Sequence, residues 1–285
     1  MSDRSAALPV AIVTGAGSGI GGAIAARLAA DGHPVAVLDR DGAAAQAQVQ
    51  RIVAAGGRAL PVVCDVARAE EVDAAVASAV DLLGPPGRLV NAAGIAIRKG
   101  LLDTTPQEWR TVIGTNLDGY FHLLRAVVPP MRDAGGGSIV QIASIAAYLG
   151  YGYPSYTASK GAVLAITRQL AKELAPMRIR INSISPGVIE TGLNRDSLGN
   201  DQVRAMTVGV TPLGRLGEAS EVASLAAFLL GEEAGYITGA DVVVDGGMTT
   251  HINFGKDSDI ITGFHSKDAQ AGPPAGAATG RGAQR

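Results

Sequence analysis

Short runs of Val, Ile, Leu and Ala recur along the chain, separated by longer Ala-rich stretches whose apolar positions repeat every three or four residues. The short runs predict strands at residues 10–14, 34–38, 59–63, 88–91, 138–143, 180–185 and 241–244. The longer stretches predict helices at 19–30, 43–55, 70–83, 106–131, 153–174 and 219–230. The segments VAIVT, VAVL and VVVD are apolar at odd and even positions alike, whereas a strand wetted on one side would alternate. Both faces of the sheet should therefore be covered. Strand–helix alternation without hairpin signals predicts an α/β, doubly wound, seven-stranded parallel sheet of Rossmann type. A single such domain is expected over residues 9–250, behind a short lead at 1–8. From His251 the periodicity stops, and the Gly/Ala/Pro-rich end predicts a tail at 251–285, flexible or packed on a neighbouring subunit or over the site.

The 24 basic and 26 acidic residues nearly cancel, so no global charge draws the chain to nucleic acid or an anionic membrane. No apolar run approaches the roughly 18 residues of a membrane-spanning helix. With one cysteine, Cys64, no intramolecular disulfide can form, and without a basic-apolar leader a cytoplasmic location is expected. His33, His122, His251 and His265 are scattered, with no HExxH pair and no Cys/His cluster, so no metal site is expected. Neither a GxSxG elbow nor a GxxxxGK[ST] loop is present, which removes the usual signatures of acyl and phosphoryl transfer.

The chemistry that remains is concentrated in two places. After the first strand comes Thr14-Gly15-Ala16-Gly17-Ser18-Gly19-Ile20-Gly21-Gly22, opening a helix. Glycines there permit a tight turn and let backbone N–H groups approach a pyrophosphate, which the helix N-terminus favours. Asp39 ends the second strand 20 residues after Gly19, where a carboxylate can accept hydrogen bonds from adenosine ribose hydroxyls and would repel a 2′-phosphate. NAD is therefore the expected cofactor, with NADP the lesser alternative because Arg40 is adjacent; Asp41 counters it.

The second place is Tyr156-Thr157-Ala158-Ser159-Lys160, on a predicted helix and preceded by Ser144 at a strand end. Residues four apart share a helix face, so the ammonium can lie near the phenol and favour its ionised form, which makes Tyr156 a candidate general acid/base.

Taken in order, these motifs resemble the short-chain dehydrogenase/reductase family over about residues 10–247. They are TGAGSGIG at 14–21, Asp39, Cys64-Asp65-Val66, Asn91-Ala92-Ala93-Gly94, Asn116, Ser144, Tyr156 with Lys160, Asn182, Pro186-Gly187-Val188-Ile189 with Thr191, and Asp245-Gly246-Gly247. The resemblance implies a catalytic set of Asn116, Ser144, Tyr156 and Lys160. Tyr156 would exchange a proton with the substrate oxygen while hydride moves to or from a nicotinamide. Ser144 would hold that oxygen. Lys160 would bind the nicotinamide ribose and lower the pKa of the phenol, and Asn116 would fix a relay water. It further implies cofactor contacts at Gly15, Ser18, Gly19, Ile20, Gly21, Asp39, Arg40, Cys64, Asp65, Val66, Asn91, Ala92, Ala93, Gly94, Tyr156, Lys160, Pro186, Gly187, Ile189 and Thr191. The chain departs from the family pattern at Val90, where NNAG has its first Asn, and at Gln141, where the N-[IV]-S-S strand end has Asn.

Ligands in open α/β sheets sit beyond the carboxyl ends of the strands. The substrate walls are therefore expected from Ile95, Ile97, Tyr148, Leu149, Tyr151, Val188, Leu193 and Met206, with polar exceptions at Arg98, Arg195 and Arg204. They suit a mainly apolar secondary alcohol or ketone. The expected activity is NAD-dependent interconversion of such a pair. The alternatives are a sugar or polyol dehydrogenase, a 3-oxoacyl reductase, or an NAD-binding sensor without turnover. The resemblance also implies a homo-oligomer, tetramer or dimer.

Overall fold

The structure is a computed structural model that describes residues 8–250. The expected lead, apart from Leu8, and the expected tail at 251–285 lie outside the described residues. Seven strands form one parallel sheet: β1 (Val10–Thr14), β2 (Val35–Asp39), β3 (Ala59–Val63), β4 (Pro86–Asn91), β5 (Gly137–Ile142), β6 (Ile179–Pro186) and β7 (Asp241–Val244). Their spatial order is β3-β2-β1-β4-β5-β6-β7, and every pairing is parallel. The strand order reverses between β1 and β4, and a crevice opens at such a switch point.

The two-sided apolar strands serve two packed layers. Val13, Val37, Val90, Val140 and Ile184 meet Ile24 and Leu28 of α1 (Gly19–Ala30), Val49 of α2 (Gly42–Ala54), and Val222 and Leu229 of α9 (Ala219–Leu230). Their chain neighbours Ile12, Leu38, Leu89 and Ile139, with Ile181 three residues before Ile184, point the other way. They pack on Val72 of α3 (Ala69–Leu83), Leu123 and Val127 of α5 (Gly119–Asp133), and Leu174 of α6 (Pro154–Leu174). Adjacent residues of one strand thus feed opposite cores, which is why neither parity can be polar.

The strands match the sequence reading to within two residues at each end. The expected helix over 106–131 is instead α4 (Pro106–Ile113), a π turn at Gly114–Asp118, and α5. The π turn adds a residue to the helical path, and Asn116 within it is fully buried. Two short helices, α7 (Arg195–Leu198) and α8 (Asp201–Gly209), were not expected.

The turn from β1 into α1 is glycine-dependent for steric reasons. Gly15 and Gly19 have φ of 61° and 55°, conformations that L side chains rarely adopt. At Gly21 a Cβ would press into the Gly15 carbonyl oxygen and lie 2.9 Å from Thr14 O, so no side chain fits where α1 crosses the end of β1. We expect Gly21→Ala to destabilise the protein by about 1–3 kcal/mol through overpacking, read as a lower urea midpoint at unchanged slope; an unmoved midpoint would refute this packing account.

Candidate active site

A cavity of about 730 Å³ lies along the carboxyl ends of the strands. Its floor is the β1–α1 turn, where Gly15, Ser18, Gly19, Ile20 and Gly21 line it. Ser18 caps α1 in an extended conformation without a side-chain cap bond, and the first turn of the helix holds no acidic residue. Together with Gly15, where a Cβ would come within 2.8 Å of Ala93 Cα, this makes a cradle of backbone donors at a helix N-terminus that fits a pyrophosphate.

At one end Asp39 terminates β2. Its Oδ2 accepts from Gly17 N at 2.9 Å and its Oδ1 from Asp41 N at 3.0 Å, which fixes the carboxylate at the cleft beside Arg40, Cys64, Asp65 and Val66. Asp65 is held in turn by Ala67 N on its Oδ1 at 3.0 Å, while its own N–H donates to Glu71 Oε2 at 2.9 Å. Cys64 is buried, and its thiol is pushed up to about 12, first by burial and then by the charges of Glu71 and Asp65, so it is chemically inert as a nucleophile.

Across the middle, Ala92, Ala93 and Gly94 line the cleft. Thr14 Oγ1 accepts from the N–H groups of Ala92 and Ala93 at 3.0 and 3.1 Å, which ties the β4 turn to the β1 turn. Asn91, expected among the cofactor contacts, lies beneath this layer. It is fully buried, and its Nδ2 donates to Gln141 Oε1 at 2.8 Å. The departure at Gln141 is therefore a partner for Asn91 across the β4–β5 pairing, where the two residues are in register.

At the other end stand Ser144, Tyr156 and Lys160, all lining the cleft. Ser144 follows β5, and its Oγ accepts from Ala146 N at 3.1 Å, which orients the hydroxyl. Tyr156 and Lys160 lie in the first two turns of α6, whose start is set by Pro154 at its first position. Lys160 Nζ donates to Ile142 O at 2.7 Å and to Tyr120 Oη at 3.4 Å, and Tyr120 Oη donates to the same Ile142 O at 3.0 Å. An ammonium has three donors, so one remains for the cleft. Burial pulls Lys160 down to about 7.

The surroundings of the phenol act on it alongside Lys160. Nζ stands 5.8 Å from the centroid of the Tyr156 ring, and the pKa of Tyr156 is raised. Burial is the larger cause; a hydrogen bond from Ser144 and the charge of Arg98 oppose it. The same burial that lifts the phenol weakens the lysine as a cation.

Asn116 is not on the cleft wall. From the π turn its Oδ1 accepts Ile95 N at 2.9 Å, and its Nδ2 donates to Ile95 O at 3.0 Å and Ser159 Oγ at 3.2 Å. Ser159 Oγ donates to the Tyr156 main-chain O at 2.7 Å. Asn116 thus clamps the Gly94–Ile95 turn to the helix that carries Tyr156 and Lys160.

Pro186, Gly187, Ile189 and Thr191 close the cleft after β6. Of the expected substrate walls, Ile95, Leu149, Tyr151, Val188, Leu193, Met206 and Arg98 line it. Tyr148 does not: its hydroxyl donates to Asp241 Oδ2 at 2.6 Å. Arg204 pairs with Glu190 at 2.8 Å, and neither it nor Arg195 nor Ile97 reaches the lining. Val203, Met206, Thr207 and Val210 form a further wall along α8. Their i, i+3, i+4, i+7 spacing was the available signal, and Asn200 caps that helix by accepting from Gln202 N and Val203 N. Among the described residues no cluster of His, Cys, Asp and Glu suits a metal ion, and no helix is long and apolar enough to cross a membrane.

A sequence model of a family described as enoyl-(acyl carrier protein) reductase matches residues 15–249. The chain is 43% identical over 243 residues to the short-chain reductase protein NovJ of Streptomyces niveus, a match covering 84% of this chain and 93% of that protein. It is 41% identical over 246 residues to cyclohexanol dehydrogenase of Acinetobacter sp. (strain SE19), covering 85% and 95%. Among solved structures it is similar to a short-chain type dehydrogenase/reductase from Mycobacterium marinum, with TM-score 0.82, 35% identity, and coverage of 85% and 96%. Likeness at this level, running through nearly the whole of each relative and through the cleft described above, is membership: the chain belongs to the short-chain dehydrogenase/reductase family of oxidoreductases.

Proposed function

We propose that the protein interconverts a secondary alcohol and its ketone with NAD, Tyr156 acting as general acid/base. The observation that carries this reading is the placement of three groups on one cleft wall: the partly buried Tyr156 phenol, the Ser144 hydroxyl bonded to it, and the Lys160 amine. A bound nicotinamide would supply or accept the hydride. The residues of this chain handle the proton and the positions.

A phenol is protonated at neutral pH, so Tyr156 is ready as the acid in ketone reduction; in alcohol oxidation it must first give up its proton. Ser144 accepts from Ala146 N through one lone pair, and its O–H, which is directed at the Tyr156 hydroxyl, would turn to the substrate oxygen. Lys160, when protonated, has one donor left for a ribose hydroxyl. Both Nδ2 hydrogens of Asn116 are committed, so a relay water would take its acceptor from Asn116 Oδ1 or from the main chain of the π turn. The floor glycines and Asp39 suit the pyrophosphate and the adenosine ribose of NAD. The walls supplied by Leu149, Val188, Leu193 and α8 suit an apolar skeleton.

The reading includes a single catalytic domain over residues 9–250 acting in the cytoplasm as a homo-oligomer. Exposed Trp109, Phe121, Phe228 and Tyr236 support the assembly by offering apolar surface away from the cleft.

Tyr156→Phe should lower kcat by about 100- to 10,000-fold while NAD binding, followed by cofactor fluorescence, is kept. Intact turnover in that variant would sink the mechanism. Asp39→Ala should lower the kcat/KM ratio of NAD over NADP by about tenfold or more, since a charge-assisted hydrogen bond is lost and a repulsion removed. An unchanged cofactor ratio would show that Asp39 does not read the ribose.

A further inference from the structure

Two charged side chains line the cleft beside the chemistry, Lys160 and Arg98; the acidic residues of the lining, Asp39 and Asp65, both stand at the adenosine end. Lys160 is accounted for. Arg98 lies on the loop between β4 and α4, and its guanidinium sits 6.0 Å from the centroid of the Tyr153 ring. Its Nη2 donates to Leu193 O and to Asn194 Oδ1, each at 2.9 Å. These bonds hold the group across the cleft mouth and leave Nε and Nη1 with no bonded partner among the described residues.

Two neighbouring cations are neutralised. Lys99 pairs with Glu108 at 2.6 Å, and Arg204 with Glu190 at 2.8 Å. No described carboxylate lies within ion-pair distance of Arg98. Its charge is nevertheless felt inside the cleft, where it offsets a small part of the rise that desolvation imposes on the phenols of Tyr156 and Tyr151. A neutral apolar substrate closing over this group would desolvate a guanidinium and give it nothing in return, which is costly. A carboxylate would find single charge-assisted donors in Nε or Nη1, on a group whose Nη2 is already anchored.

We propose that Arg98 is a specificity-determining residue and that the substrate carries an anionic group, a carboxylate or similar oxyanion, joined by an apolar segment to its carbinol carbon. This rests on the dehydrogenase reading above and narrows it to hydroxy acids and oxo acids. It also departs from the expectation of a wholly apolar substrate. The walls bind the apolar segment, and Arg98 selects its end.

The test uses the full chain with saturating NAD and a homologous series of hydroxyalkanoates that differ in the separation of carbinol and carboxylate, each beside its methyl ester. Wild type should prefer one acid over its ester by about tenfold or more in kcat/KM, the scale of one charged hydrogen bond. Arg98→Met should bring that ratio close to one, and Arg98→Lys should restore part of it. Esters used as well as acids by the wild type would overturn the proposal. So would Arg98→Met lowering acid and ester equally, the mark of a strut between Leu193 and the β4 loop. If nothing in the series turns over, calorimetric titration of the acids into the NAD-saturated protein decides the matter. Binding that Arg98→Met weakens would uphold the anion site and count against the dehydrogenase reading, whereas binding indifferent to Arg98 would overturn the site.

Discussion

The structure is organised around one expensive act, the burial of the Lys160 ammonium. A lysine out of water must either find fixed acceptors or lose its proton. Here it does some of each: Ile142 O and Tyr120 Oη receive two of its donors, and its proton affinity falls. Those acceptors come from different elements. Ile142 ends β5, and Tyr120 opens α5 directly after the π turn. The lysine can be tolerated only if β5, α5 and α6 meet in one register. Asn116 maintains that register by fastening the β4 turn to Ser159, the residue before Lys160.

The sheet supplies the frame for this arrangement. Because β1 and β4 are neighbours while their helices leave to opposite faces, the turns that follow them diverge and open a crevice. Thr14 bridges the two turns through its hydroxyl. One side of the crevice then offers glycines and the α1 N-terminus, and the other offers side chains with protons to move. Buried polar groups such as Asn91 and Gln141 sit just below the crevice and pair with each other, so that the backbone above them is fixed.

Much of this was legible in the sequence because it rests on local rules. Strand parity announced a sheet covered on both faces. The glycine string, Asp39, and the pair Tyr156/Lys160 each stood at the boundary of a predicted element, and the structure gathers them on one cleft. What the sequence concealed depends on tertiary context. The π turn is invisible to periodicity because residues 106–133 keep a helical apolar rhythm through it, and only the inward demand of Asn116 explains the break. Asn91 looked like a cofactor contact, yet a longer side chain at position 141 holds it in the layer below. Tyr148 belonged to a dense run of tyrosines but is claimed by Asp241 from β7, far along the chain. Helix spacing shows that Tyr156 and Lys160 are close, while the desolvation that each meets comes from the tertiary surroundings.

The claim that Lys160 is a buried, poorly protonated lysine is tested most directly by unfolding free energy against pH for the wild type and Lys160→Met. In the unfolded chain a lysine titrates near 10.4, and in the folded protein Lys160 titrates at about 7. Between those values the unfolded chain binds one more proton than the folded one, so stability must rise with pH across that window and be flat below it. The raised phenols act in the opposite sense only above about pH 10, which leaves the range from about 7 to 9 clear. There the wild type should gain on the variant by up to about 1.4 kcal/mol per pH unit. A difference between the two proteins that stays constant from pH 7 to 9 would mean that Lys160 keeps an ordinary lysine pKa, and the account of the site built on its burial would be wrong.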